Sequence, residues 1–278
     1  MDVEILAPLG NVLYTEKIIK AGANAVYVGL KNYSSRPSFS DLAMDEIKTA
    51  IDVCHKNGVK IYVAINACIS HVNQDDVNNA ITELDDMGVD ALILSDFGII
   101  EYACNIVKNS EIHASTLLGV YNTQTVNVLK SMGVKRIIFS TNLYLDEMSK
   151  MIEANPQLDY EFVAAGGICF NDNRQCELPH AYKNNTYEVY CRKQYCLKTD
   201  GNIQEARSIA GKHIASAEIA QLYIDLGIKS FKIEGRTENV EKIVDIIKRF
   251  KECIDSIVPS SQSYVHYINR IRNVGETI

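Results

Sequence analysis

The sequence lacks the features that mark a secreted or a membrane protein. Its apolar runs all fall short of the ~20 residues that a membrane-spanning helix requires. The N-terminus reads Met1-Asp2-Val3-Glu4, without the basic start and the longer apolar core of a signal peptide. These absences predict a cytoplasmic protein with no membrane span.

Positive charge is also scarce, because 28 Lys and Arg residues are outnumbered by 35 Asp and Glu residues. The formal net charge is −7, and the sequence pI is about 5.4. An acidic chain predicts that there is no broad nucleic-acid-binding surface, although it leaves room for a local basic site.

Several catalytic motifs are missing as well. The chain contains no P-loop, no G-x-G-x-x-G fingerprint, no G-x-S-x-G nucleophile elbow and no H-E-x-x-H helix. The last absence disfavours a zinc protease. Gly166-Gly167 is interpreted as a backbone turn rather than as a phosphate-binding loop.

What the sequence does contain is a regular alternation of short β-branched runs and longer segments of helical periodicity. Several of the predicted helices end at a glycine, which closes the helix before the next strand. These glycines are Gly22, Gly58, Gly88, Gly133 and Gly227. The predicted strands are Val3–Pro8, Ala25–Leu30, Lys60–Asn66, Ala91–Asp96, Glu111–Leu117, Arg136–Ser140, Tyr160–Ala165 and Ser230–Glu234.

Eight such units predict an α/β protein with a (β/α)₈ barrel, and a doubly wound sheet is the alternative. The predicted barrel covers residues 1–258, and a polar tail covers residues 259–278. Residues 166–215 form an insertion after the seventh strand. An insertion of this length is typical of a functional segment, and it leaves from the face where barrel enzymes place their active sites.

Half of the eight cysteines lie in this insertion, at Cys169, Cys176, Cys191 and Cys196. Because the cytosol keeps thiols reduced, such a cluster indicates metal binding rather than disulfides. Four thiolates suit either Zn²⁺ or an iron–sulfur cluster, and their spacing leaves both open.

The other four cysteines are interpreted differently. Cys54, Cys104 and Cys253 fall on predicted helices among apolar neighbours, which is typical of buried structural thiols. Cys68 lies just past the third strand and is a candidate fifth ligand or redox group.

Three charged residues stand at alternate positions of the eighth strand and are predicted to share a face: Lys232, Glu234 and Arg236. Arg236 and Lys232 are candidates for binding an anionic substrate, and Glu234 is a candidate catalytic residue that orients them. The alternative is a structural Lys232–Glu234 pair, because a charge inside a barrel is costly unless it is paired.

Further candidates are predicted near the carboxyl ends of other strands. His113 and Ser115 share a face of the fifth strand, and Asn66 and Asp96 end the third and fourth strands. His113 and Asp96 are candidate catalytic residues, while Ser115, Asn66 and Tyr27 are candidate substrate-binding residues. The alternative for His113 is a core histidine hydrogen-bonded to a neighbour.

Four motifs and the cysteines of the insertion resemble the collagenase-like peptidase family U32. The motifs are Leu6–Asn11, Ala21–Gly29, His113–Thr116 and Lys232–Arg236. Each is short, but together they span residues 6–236 in the order of that family.

The resemblance implies a (β/α)₈ barrel with a 4Fe–4S cluster on the four cysteines, which favours iron–sulfur over zinc. It also implies oxygen-independent hydroxylation, since relatives of this kind act on tRNA, ribosomal RNA or a ubiquinone precursor. The expected substrate is therefore an aromatic small molecule or a nucleobase. A peptidase and a non-catalytic iron–sulfur partner protein are the alternatives.

The chain departs from the family pattern in two respects. Cys191 and Cys196 enclose four residues where the family has three, which bears on the geometry of these two ligands. The chain also ends soon after the eighth predicted helix. The resemblance to short members implies that it can work with a partner protein chain.

Overall fold

Eight parallel strands close into a barrel in the computed structural model, which describes residues 3–35, 40–168, 193–196, 198–199, 202–203, 207–208, 211–236 and 238–257. The strands are β1 Glu4–Pro8, β2 Ala25–Gly29, β3 Lys60–Ile65, β4 Ala91–Leu94, β5 Glu111–Ala114, β6 Arg136–Ile138, β7 Asp159–Ile168 and β13 Ser230–Ile233. Each strand from β1 to β6 pairs with the next, and β6–β7, β7–β13 and β13–β1 pairings complete the ring. The (β/α)₈ barrel is confirmed, and its closure excludes a doubly wound sheet.

In the described residues, eight α-helices surround these strands. They are α1 Thr15–Lys20, α2 Met44–Lys56, α3 Gln74–Met87, α4 Phe97–Ile106, α5 Thr123–Met132, α6 Leu145–Ala154, α7 Ala217–Leu226 and α8 Val240–Ser256. All five predicted helix-ending glycines have positive φ, as at Gly88 with +84°. No helix in the described part of the chain has the length and apolarity needed to cross a membrane.

Strand side chains alternate between the barrel interior and the layer of helices. The outward residues, such as Ile61, Val63 and Ile65 of β3, pack with the helices in the larger core cluster. A smaller cluster inside the barrel contains Leu6, Ala25, Tyr27, Tyr62, Ala64, Ala91, Ile93 and Ile138. Three of these eight residues are alanine, which leaves space in the interior for the long polar side chains described below.

The strand β7 continues beyond the barrel into the insertion. Its last residues pair in antiparallel fashion with β12, Gly211–Ile214, from Ile168 opposite Gly211 to Ala165 opposite Ile214. Two short antiparallel pairs lie between them in sequence: β8 Gln194–Tyr195 with β11 Arg207–Ser208, and β9 Lys198–Thr199 with β10 Asn202–Ile203. The insertion therefore begins as an extension of β7 rather than as a turn at Gly166.

Candidate active site at the barrel mouth

The carboxyl ends of the barrel strands, here called the mouth, carry three of the predicted polar residues. Asn66 Oδ1 accepts a hydrogen bond from the Ser35 amide at 3.0 Å. Asp96 is the N-cap of α4, and its Oδ1 accepts from the backbone amides two and three positions on, at 3.0 and 3.2 Å. Ser115 Oγ accepts from the Leu117 amide at 3.2 Å. All three shape the loops after β3, β4 and β5, and their functional roles stay predictions.

His113 lies inside the barrel rather than at the mouth, where it was expected. Its side chain is fully buried, and its Nε2 is 3.0 Å from Oε2 of Glu111, the first residue of β5. The Tyr62 ring packs edge-on against the imidazole, with 5.0 Å between ring centroids. Burial lowers the pKa of His113 and outweighs the opposing hydrogen bond to Glu111, so the imidazole is neutral at pH 7.

Lys232 of β13 points into the barrel and makes no pair with Glu234. Its Nζ lies 3.3 Å from Oε1 of Glu161, which is fully buried on β7. The same ammonium lies 4.1 Å from the centroid of the Tyr27 ring, within cation–π distance. The structure therefore brings Lys232 and Tyr27 together, as two predicted substrate-binding residues, and replaces the expected Lys232–Glu234 pair with Lys232–Glu161.

Glu234 stands just past the end of β13 and contacts the start of the insertion. Its Oε2 accepts a hydrogen bond from the Gly167 amide at 3.2 Å, and its own amide donates to the Ala165 carbonyl at 2.7 Å. A Cβ on Gly166 would lie 2.7 Å from Glu234 Oε2, so only glycine allows this approach. Glu234 thereby anchors the end of β7 beside the mouth.

Arg236 anchors a second loop of the mouth. Its Nη1 donates to Asp41 Oδ1 and its Nη2 donates to Ser34 Oγ, both at 2.8 Å. The two charged side chains are only 5% and 1% exposed. Burial raises the pKa of Asp41, and the Arg236 charge opposes that rise. Arg236 thus holds the β2–α2 connection in place. These two hydrogen bonds occupy guanidinium donors that were expected to bind an anionic substrate.

At the opposite end of the barrel from the mouth, a buried charge network spans the amino ends of the strands. Arg136 Nη1 donates to Glu4 Oε1 at 2.6 Å and to Glu161 Oε2 at 3.4 Å. Tyr62 and Ser230 donate to Glu4 from 2.6 and 2.7 Å. Burial favours a raised pKa of Glu4, but the Arg136 charge and these hydrogen bonds outweigh it and leave the pKa lowered.

Glu161 and Arg136 were not identified from sequence as site residues, nor was Asp41 identified as the partner of Arg236. A usable signal existed for the first two, because each is a charged residue on a strand whose other buried residues are Tyr, Phe, Val, Ile or Ala. No local pattern identified Asp41, whose partner Arg236 is 195 residues away.

The predicted metal ligands fall mostly outside the described residues. Cys169, Cys176 and Cys191 are not among those residues, and Cys196, between β8 and β9, carries an exposed thiol. Within the described residues, no three His, Cys, Asp or Glu side chains are grouped so as to hold a metal ion.

Among the other cysteines, Cys54 is buried as predicted, and burial raises its pKa to about 12. Cys104 and Cys253 are partly buried. Cys68 is exposed after β3, and its suggested role as a ligand or redox group stays a prediction.

These features define a TIM-barrel protein whose mouth is organised by the segment after its last strand and by a cysteine-bearing insertion after the seventh. The model of peptidase family U32 matches residues 10–275, so this chain belongs to that family.

Relatives and solved structures agree with this assignment. The chain is 29% identical to a 23S rRNA 5-hydroxycytidine synthase of Escherichia coli, over 92% of this chain and 40% of that protein. It is 27% identical to tRNA hydroxylation protein P1 of Bacillus subtilis, over 94% of this chain and 65% of that protein. A solved U32 peptidase, Mk0906, has a similar fold, with a TM-score of 0.56 and 14% identity over 84% of this chain and 93% of that one.

Proposed function

We propose that this chain is an iron–sulfur-dependent enzyme, or a subunit of one, that hydroxylates a nucleobase of tRNA or ribosomal RNA without O₂. The observation that carries the proposal is the match to relatives named for hydroxylation of tRNA and 23S rRNA over more than nine-tenths of this chain. These names favour a nucleobase over a small aromatic molecule. The absence of a broad nucleic-acid surface stays a prediction, since one base entering the mouth needs only local contacts.

The arrangement around Lys232 supports a role in binding the base. Its side chain is 12% exposed, and its ammonium is held by a buried carboxylate on one side and the Tyr27 ring on the other. An ammonium fixed in this way can donate to an exocyclic oxygen of a pyrimidine and stabilise negative charge that develops there. Lys232 is therefore the predicted substrate-binding residue that the geometry favours most.

The proposed cofactor is a 4Fe–4S cluster on Cys169, Cys176, Cys191 and Cys196, with Zn²⁺ as the alternative. Four thiolates are the usual ligands of such a cluster, and the exposed Cys196 thiol is open to metal. A bound cluster supplies electron transfer or Lewis acidity that side chains lack. Converting C–H to C–OH with water as the oxygen source releases two protons and two electrons, so the reaction also requires a two-electron acceptor as cosubstrate.

Two measurements test the proposal. Anaerobically purified protein is expected to contain about four irons per chain and to show the spectrum of a 4Fe–4S cluster. A colourless chain with one zinc would overturn the cofactor assignment. Expression in Bacillus subtilis lacking its tRNA hydroxylation proteins is expected to add one oxygen to a nucleoside of tRNA or rRNA, as measured by mass spectrometry.

A matched pair of variants connects that product to the mouth. Lys232→Met is expected to lower product formation by about tenfold or more, whereas Lys229→Met is expected to keep it. Lys229 lies three residues earlier, is 70% exposed and sits at the opposite end of the barrel. If no nucleoside changes in either RNA with wild-type protein, the hydroxylase proposal fails.

A peptidase is the second candidate, and the family description is the observation that favours it. Within the described residues, neither nitrogen of His113 is hydrogen-bonded to a hydroxyl or a thiol, so no nucleophile–base pair forms there. Complete inactivity of the iron-loaded chain on denatured collagen and on a peptide library would remove this candidate.

A non-catalytic partner role is the third candidate, because the chain spans 40% and 65% of the two relatives described above. Product formation by the purified chain alone would remove it.

A further inference from the structure

Exposed apolar side chains are concentrated at the mouth. Nine large apolar side chains are exposed in the described residues. Two of the nine, Ile214 and Ile219, flank the β12–α7 connection at the mouth end. Five lie between a barrel strand and the first turn of the next helix, namely Leu13, Tyr14, Val72, Phe97 and Tyr144. Only Tyr102 and Val128 lie in the middle of helices. Seven of the nine therefore lie at the mouth end of the barrel.

Three of these side chains are aromatic and come from separate loops around the mouth. Tyr14 follows β1, Phe97 follows β4 and Tyr144 follows β6. Tyr144 is 75% exposed and Phe97 is 43% exposed. We call Tyr14, Phe97 and Tyr144 the aromatic rim. Because their rings are not needed to fill the core, a ligand outside the barrel accounts for them better than packing does.

We propose that the aromatic rim binds unpaired bases of a single-stranded RNA loop on either side of the base that enters the barrel. This inference rests on the proposed function and adds to it the surface that receives the RNA. Aromatic rings stack on any base and so hold single strands with little sequence preference. A base inside a duplex cannot reach a barrel interior, so a substrate loop must present it unstacked.

Charge on the same end of the molecule suits RNA. Residues 166–215 contain seven Lys and Arg residues against five Asp and Glu residues, in a chain whose net charge is −7. Lys193 and Lys198 are exposed where the insertion is described. The insertion leaves the barrel at the mouth, beside Glu234, and Lys193 and Lys198 are the two cations whose exposure is known among its described residues. The acidic remainder of the chain disfavours RNA binding elsewhere.

The test measures RNA affinity of the anaerobically purified, metal-loaded chain. The probes are a fluorescein-labelled RNA hairpin with a seven-nucleotide loop and a fully paired RNA duplex of the same length, both at one fixed salt concentration. The variants are Tyr144→Leu and Phe97→Leu, which keep an apolar side chain but remove the ring. Tyr102→Leu is the matched control, because Tyr102 is an exposed aromatic residue on the same helix as Phe97, away from the mouth.

The hairpin is expected to bind more tightly than the duplex. Each rim variant is expected to weaken hairpin binding by about fivefold or more, given that stacking on an aromatic ring contributes about 1–3 kcal/mol per base. Tyr102→Leu is expected to change it by less than about twofold, within the usual scatter for surface substitutions. Thermal unfolding midpoints equal to wild type show that the rim variants remain folded.

Three results would overturn the inference. Rim variants that bind the hairpin as wild type does, while wild type still hydroxylates RNA in cells, would refute the rim and leave the proposed function intact. An equal loss in Tyr102→Leu would show that the effect is not confined to the mouth. A wild-type chain that ignores the hairpin but forms a protein complex or self-associates, and loses that association in Tyr144→Leu, would identify the rim as a protein interface.

Discussion

Replacing Gly29 with alanine is expected to separate the buried Arg236–Asp41 pair. A Cβ at Gly29 would lie 2.8 Å from Asp41 Cγ. It would also overlap the two atoms of the hydrogen bond between these side chains, Arg236 Nη1 and Asp41 Oδ1. Neither side chain has open solvent to move into, since they are 5% and 1% exposed. Breaking a buried pair leaves charges without compensation and costs about 3–5 kcal/mol. That loss is a large part of the total stability of an ordinary domain, about 5–15 kcal/mol.

Urea unfolding of the full chain, followed by far-ultraviolet circular dichroism, measures this loss. Gly98→Ala is the matched control, because its Cβ would meet only Asp96 Oδ1 at 3.4 Å and it lies in α4. Alanine there is expected to leave stability unchanged or to raise it by up to about 1 kcal/mol.

A second comparison tests the cause of the effect. In an Asp41→Ala/Arg236→Met background, both atoms that the new Cβ would overlap are gone, so adding Gly29→Ala is expected to cost less than about 1 kcal/mol. A wild-type-like midpoint for Gly29→Ala, or a full loss in the double-variant background, would refute this reasoning.

Three further predictions concern other buried groups. The Asp85 carboxylate accepts three backbone N–H bonds at 2.7–3.0 Å, so Asp85→Asn is expected to lower the free energy of unfolding by about 2–3 kcal/mol at pH 7. The control is Asp86→Asn at the exposed neighbouring residue, which is expected to cost under about 0.5 kcal/mol. Burial favours a raised pKa of Asp85, but these bonds outweigh burial and leave the pKa lowered. The contribution of Asp85 to stability is therefore present above about pH 4 and disappears as the pH falls through the folded-state pKa. A stability difference between wild type and Asp85→Asn that persists in acid would contradict this. Burial lowers the pKa of His113, so below about pH 6.5 the unfolded chain takes up more protons than the folded chain, and stability falls. His113→Gln is expected to reduce this fall in stability between pH 7 and 5. An unchanged dependence of stability on pH would contradict this. Iodoacetamide at pH 8 is expected to modify the exposed Cys68 and to spare Cys54 in the folded chain, so peptide mass spectrometry that finds Cys54 modified would disprove its burial.

The barrel was predictable from sequence because its signals are local. The predicted first residues of β2, β3, β4, β5, β6 and β13 are the ones that the structure shows. Strand ends were less predictable where a polar side chain redirects the backbone. The fifth strand was expected to reach Leu117, but it ends at Ala114 because Ser115 Oγ accepts the Leu117 amide and begins a 3-10 turn.

The partners of the site residues could not be predicted in the same way. Inward alternation on β13 identified Lys232, but its contact with Glu161 requires the register that sets Lys232 opposite Val163 across the β7–β13 pair. That register exists only once the barrel closes. A pair of residues from distant strands leaves no mark in either local sequence.

Lys232 of β13 and the two charged residues that follow this strand, Glu234 and Arg236, have separate roles, and this changes how their variants are to be interpreted. Glu234 is hydrogen-bonded to the end of β7 and Arg236 to the β2–α2 connection, so the loss of either is expected to lower stability and activity together. Lys232→Met keeps an apolar stem of similar length, and Arg136 remains 3.4 Å from Glu161 to balance that carboxylate. Because Arg136 also pairs with Glu4, Lys232→Met leaves part of the Glu161 charge uncompensated and is expected to lower the free energy of unfolding by about 1–3 kcal/mol. Product formation by the folded variant is expected to fall by about tenfold or more through the missing charged donor. If its activity falls only in proportion to its stability, Lys232 supports the fold as the other two do and does not contact the substrate.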